Sequence, residues 1–156
     1  MNFLKNNATL LLIIMLAITV SSCGLLGEDD DTYTGPAVVG FRLTNPPTVE
    51  SSETNTYEIQ LIRSQEGVLD QDLTVDFIVV DSTTTAPTAS YQIQTPSPVT
   101  MPSGSLTTDI VISFDPNVIP AGEAGILEVQ LLGNEHRGIK SGKNIGVLHV
   151  AIEGQG

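Results

Sequence analysis

The sequence has 156 residues and carries 18 Asp+Glu against 6 Lys+Arg, a formal net charge of −12. That balance disfavours nucleic acid, whose phosphates need basic contacts, and gives no electrostatic help toward anionic headgroups. A single cysteine excludes an internal disulfide, and the absence of tryptophan leaves three Tyr and four Phe as the whole aromatic complement.

The first elements in chain order are those of an export signal. Met1 to Asn7 form a short polar head with Lys5 and the terminal amine as its positive charges. Ala8 to Val20 is apolar apart from two threonines. As a helix that run reaches only about 20 Å, short of the ~30 Å hydrocarbon core, so it predicts a cleaved signal and not a stable span. Val20-Ser21-Ser22-Cys23-Gly24 follows, an aliphatic residue and two small ones before the lone thiol. These residues match the lipobox. Val20, Ser21, Ser22 and Gly24 form the signal-peptidase recognition site, and Cys23 becomes the lipid-bearing first residue. The competing reading is an ordinary secretory signal followed by an incidental thiol. The position of Cys23 at the end of the apolar run, with no second cysteine to pair with, favours lipidation.

Removing the signal peptide, residues 1–22, leaves 134 residues, enough for one domain without disulfides. Residues 23–35 comprise the lipidated cysteine and a tether with no periodic apolar pattern. The tether holds four consecutive acids, Glu28, Asp29, Asp30 and Asp31. Such a run reads as a solvated spacer that keeps the domain off an anionic surface. Acidic residues cannot hold the headgroups, so the acyl chains do the anchoring, and two or more chains hold stably.

Residues 36–156 read as strands. Thr56–Leu61, Leu73–Val79, Leu106–Phe114 and Leu127–Leu131 alternate polar and apolar residues. Period two with β-branched enrichment predicts half-buried strands. Ala37–Thr44 and Asn144–Ile152 are the expected first and last strands, and Pro98–Met101 a short one before the turn Pro102-Ser103-Gly104. Seven strands punctuated by Pro, Gly and Asn predict an all-β, immunoglobulin-like two-sheet sandwich. Its inward face would carry Tyr57, Ile59, Leu61, Val75, Phe77, Val79, Ile110, Ile112, Phe114, Leu127, Val129 and Leu131.

The valine-rich strand LTVDFIVVD, the segment Ala86 to Tyr91, the turn Val99-Thr100-Met101-Pro102-Ser103-Gly104-Ser105 and the strand Leu127-Glu128-Val129-Gln130-Leu131 carry a resemblance. They resemble Calx-β-like and related immunoglobulin-like domains of small Bacteroidota envelope lipoproteins, over about two thirds of the mature chain. The family usually has Asp before the tyrosine that Tyr91 matches, and Ser90 stands here instead. A calcium site implied by the resemblance is thereby in doubt. Asp70, Asp72, Asp76, Asp81, Asp109 and Asp115 are scattered without a ligand-spaced loop and read as surface acids, so no metal is expected. In that phylum an acidic cluster soon after the lipidated cysteine resembles a signal for the outer face of the outer membrane. The resemblance therefore implies surface display, against a periplasm-facing location. Asp81-Ser82-Thr83 also resembles the phylum's short O-glycosylation acceptor pattern.

Catalysis finds no support in the sequence. Cys23 is committed to lipid, His136 and His149 are the only imidazoles, and His149 alternates outward in the last strand. No nucleophile elbow, phosphate-binding glycine loop or zinc spacing is present. The expectation is no enzyme, no catalytic residues and no cofactor. One stretch stands apart: Gly133 to Asn144 holds Arg137, Lys140 and Lys143, three of the five basic residues of the mature part. It reads either as a soluble glycine-rich hairpin loop or as a contact for an acidic partner or glycan. The sequence thus points to a membrane-tethered module that binds or spaces envelope components, accessory to a glycan-uptake or adhesion complex. The alternative is a free-standing polysaccharide-binding surface lipoprotein, for which Tyr33, Phe41 and Tyr91 are the aromatic residues not assigned to the core.

Overall fold

The computed structural model describes residues 35–64 and 70–156. The predicted signal peptide, Cys23 with its flanking Val20, Ser21, Ser22 and Gly24, and the acidic run Glu28–Asp31 lie outside the described residues.

The described chain is all-β. Its strands are β1 (Ala37–Phe41), β2 (Glu53–Arg63), β3 (Leu73–Val79), β4 (Tyr91–Ile93), β5 (Val99–Met101), β6 (Thr107–Phe114), β7 (Ala124–Asn134), β8 (Ile139–Ser141) and β9 (Val147–Glu153). Three single 3-10 turns, at Thr88–Ser90, Pro116–Val118 and Glu135–Arg137, connect them. The period-two segments all become strands because one face of each is apolar and turned inward. Of the twelve expected inward residues, eleven are buried, and Val79 is partly buried and packs against them. Each large side chain fully buried in this way is worth roughly 1.5–3 kcal/mol of transfer free energy.

One continuous ladder, β4-β6-β2-β1-β8-β7-β3-β5, curls into a sandwich, with β9 added on β7. β6 and β2 pair antiparallel over eight residues, from Glu53↔Phe114 to Gln60↔Thr107. β7 carries the other layer, paired with β3 and, over seven residues, with β9. The layers meet through β1, which runs antiparallel to β2 and parallel to β8. Phe41, Ile59, Ile110, Ile112, Leu127, Leu131, Ile139 and Leu148 fill the space between them, each less than 2 % exposed.

Two of the nine strands depart from the expected seven. β4 follows directly on the Thr88–Ser90 turn. β8 lies inside the stretch that reads as a glycine-rich loop, and Gly133 and Asn134 belong to β7. The reason is Ile139, fully buried, which ties that stretch to the core while Lys140 pairs with both Val38 and Gly133. The segment is therefore a 3-10 turn followed by a strand, with Gly138 at φ 65° closing the turn.

Candidate functional site

The three predicted basic residues are all exposed, but they sit on different elements. Arg137 ends the 3-10 turn, where its guanidinium donates to the Asp72 carbonyl at 3.2 Å and to Gln71 Oε1 at 3.4 Å. It thereby joins the segment before β8 to the start of β3. Lys140 projects from β8, and Lys143 lies in the turn that leads to β9. His149 faces outward as expected, with Nδ1 3.3 Å from Glu128 Oε2 across the β7–β9 pair.

The acids do not converge. Asp70, Asp72, Asp81, Asp109 and Asp115 are exposed and Asp76 is half-buried. Among the described residues no three of His, Cys, Asp and Glu come together as metal ligands. Two of the acids have structural partners. Asp72 Oδ1 accepts the Ser103 N–H at 2.8 Å and so clamps the turn before β6. Asp115 accepts from the Asn117 amide at 2.9 Å, the Asn117 N–H at 3.3 Å and the Ser52 hydroxyl at 3.2 Å. The Asn117 hydrogen bonds, with a smaller contribution from Ser52, hold this carboxyl below its ordinary value of 3.8. A lowered pKa in the folded state means that Asp115 supports the fold above pH 3.8 and ceases to do so as the pH falls through the folded value. In a carboxyl NMR titration Asp115 is expected to titrate below 3.8 and Asn117→Ala to return it toward that value. An Asp115 midpoint unchanged by the substitution would exclude this cause.

Ser90, at the position where the resemblance anticipates an aspartate, is fully buried. Its hydroxyl donates to the Pro87 carbonyl at 2.7 Å, and its own carbonyl accepts the Asp115 N–H at 2.9 Å. The side chain is enclosed inside its own turn and is not presented at the surface where the acids lie. The aromatic residues also move away from a sugar platform: Phe41 is 1 % exposed, Tyr91 is partly buried against the core, and Tyr33 lies outside the described residues.

The concave feature that the sequence did not reveal lies beside β2. A cleft of about 570 Å3 opens between the N-terminal half of β2 and the chain leaving β1, lined by Leu43, Pro46 and Pro47 on one side and Asn55, Thr56 and Tyr57 on the other. Arg42, Glu53 and Glu58 add charge to it, and Arg42 Nη1 lies 3.4 Å from Glu58 Oε1. Tyr57 packs edge-on against Phe114, with ring centroids 6.4 Å apart. Its hydroxyl is buried without a hydrogen-bond partner. Burial pushes this phenol up to about 12. The neighbouring Asn55 side chain pulls the other way and the Glu53 charge adds to the rise; the Asn55 amide donates to Glu53 Oε1 at 2.8 Å.

No family model matches the sequence, and no curated protein matches it. Solved structures do. A crystal structure of CBD12 from CALX1.2 aligns with a TM-score of 0.56 at 15% identity, over 74% of this chain and 43% of that one. The apo-form Calx CBD1 domain aligns at 0.55 and 16% identity, over 78% of this chain and 99% of that one. The fold is Calx-β-like. A protein of unknown function from Bacteroides ovatus shares it, with a TM-score of 0.54 at 12% identity over 73% of this chain and 43% of that one. The chain thus spans less than half the length of the first and third of these and nearly all of the second. At such identities the likeness is one of fold. In this Calx-β-like domain the Ser90 turn and the β2 cleft are described by their own geometry.

Proposed function

We propose that this chain is a non-catalytic lipoprotein module, tethered through Cys23 to the outer membrane of a bacterial envelope and displayed at the cell surface, where it binds or spaces other envelope components. The observation that carries this reading is the sequence Val20-Ser21-Ser22-Cys23-Gly24, in which the chain's one thiol follows an apolar run that reads as an export signal and precedes the segment that folds as a β-sandwich. A Bacteroides ovatus protein of the same fold agrees with the phylum that the motifs resemble. The acidic run Glu28–Asp31 supports display, and the role in a glycan-uptake or adhesion complex follows from that placement. The binding of a free glycan is the weaker reading, since Phe41 belongs to the core and Tyr91 packs against it.

The anchor is tested by Cys23→Ala. The native chain is expected in the membrane fraction, labelled by palmitate and cut by protease added to intact cells; the variant should lose both label and membrane association. A Cys23→Ala chain that still fractionates with membranes would remove the lipid from the account, and a native chain resistant to shaving would remove surface display.

A further inference from the structure

Successive residues of a strand turn their backbone N–H and C=O groups to opposite sides. In β2 the Leu61 N–H bonds to Leu106 beside β6 at 2.8 Å, while the Glu58 carbonyl accepts Arg42 N–H on the β1 side at 2.9 Å. Odd-numbered residues of β2 therefore face β6, and even-numbered ones face β1. β1 stops at Phe41↔Ile59, whereas β6 continues to Glu53↔Phe114. Past Arg42 the chain crosses to the other layer, where Thr44 and Val49 bond to His149, Ala151 and Glu153 of β9. The backbone groups of Thr54 and Thr56 are left with no strand beside them, and Thr56 lines the cleft.

Exposed edges of this kind are ordinarily shortened or covered. The fold does so elsewhere: β4 and β5 are three residues each, and β9 is covered by the crossing segment. Within the eleven-residue β2 the stretch Thr54–Thr56 is not covered in this way, and a formed cleft lies in front of Thr56. Tyr57 lines the same cleft with a second unmet polar group.

We propose that the bare edge of β2 at Thr54–Thr56 is a strand-addition site for an extended, basic segment of a partner protein. Only an extended chain repeats donors and acceptors at the spacing of Thr54 and Thr56, and strand addition is an established mode of peptide capture. Its apolar side chains would rest against Leu43, Pro46 and Pro47. Charge selects the partner: Glu53 and Glu58 line the cleft beside the edge in a chain of net charge −12, with Arg42 already beside Glu58. A second copy of this chain is disfavoured, because each would bring Glu53, Glu58 and a net charge of −12 to one seam. The inference rests on the binding half of the proposed function and is independent of the anchor.

The test uses the full-length chain in detergent micelles and the synthetic peptide acetyl-Lys-Val-Thr-Val-Thr-Val-Lys-amide. Amide exchange at Thr54 and Thr56, fast in the free chain, is expected to slow at least tenfold on saturation, while Asn55, already bonded toward β6, changes little. Thr56→Pro removes an N–H that the fold does not use, a tolerated edge substitution, and is expected to abolish protection at Thr54. Protection of Thr54 and Thr56 before peptide is added, or none after it, overturns the proposal, as does equal protection of Thr54 in a folded Thr56→Pro chain. If that variant fails to fold, the exchange data on the native chain decide alone. A peptide with Glu in place of Lys that protects equally well overturns the basic character of the partner. Loss of membrane association in native cells would sink the anchor and leave this site untouched, so the two failures are distinguishable.

Discussion

Leu131→Ala is expected to destabilise the domain by roughly 2 to 5 kcal/mol, and Leu132→Ala, one residue along, by less than about 0.5 kcal/mol. The two leucines have the same transfer free energy, so the difference lies in where β7 turns them. Leu131 is fully buried between the layers opposite Phe77, whereas Leu132 is 47% exposed on the outer face. Truncating the first removes packed methyl groups and leaves a cavity; truncating the second gives up surface that water already reaches. Single domains are stable by only about 5–15 kcal/mol, so the buried change consumes a large part of the total. Denaturant midpoints at unchanged slope would read the two losses. Equal losses would mean that β7 is set one residue out of register, which would turn its whole inward set to solvent.

The same alternation explains which parts of the fold are legible in the sequence. In β2, β3, β6, β7 and β9 the inward residues repeat often enough that polar neighbours mark the outer face, and Tyr57, Ile59 and Leu61 or Ile110, Ile112 and Phe114 fall where the pattern puts them. β4 and β8 are three residues long, too short for a period to show. β8 is held by one buried residue, Ile139, and by a parallel partner, β1, about a hundred residues earlier, which no local turn signal announces.

The β2 cleft is hidden for a related reason. Thr54 and Thr56 look like any outward strand residues; they are bare because β1 ends at Phe41 and the next segment follows β9. Tyr57 is equally instructive. Its ring is placed inward by period two, but that alternation says nothing of its hydroxyl, which is buried without a partner. The proposed lipidation motif is the opposite case, since a peptidase would read Val20 to Gly24 as a linear string, with no fold needed for its recognition.

Gly133→Ala is expected to destabilise the domain by roughly 2 to 4 kcal/mol, more than any other alanine replacement of a positive-φ glycine here. Two penalties meet at this residue. Its φ of 77° lies in the left-handed region, and a Cβ would sit 2.5 Å from the Ile139 carbonyl oxygen. It also occupies a bulge: Asp76 pairs with Gly133 and Phe77 with Leu131, so Leu132 is the extra residue on β7. Bulges of this kind place glycine where the strand must bend. Here the bend lets β7 leave β9 and meet β8 at Gly133↔Lys140, and β8 in turn carries the ladder to β1. Gly138, at φ 65° with nothing within 4 Å of a Cβ, pays the conformational penalty alone. The difference between Gly133→Ala and Gly138→Ala therefore measures the close approach of β7 to β8. Hydrogen exchange should quicken first at β8 and β1, the seam between the layers, and last at the β2–β6 pair. If the two alanine variants lose equal stability, the approach contributes nothing, and the curl of the sheet must be held by the buried side chains of β1 and β8 instead.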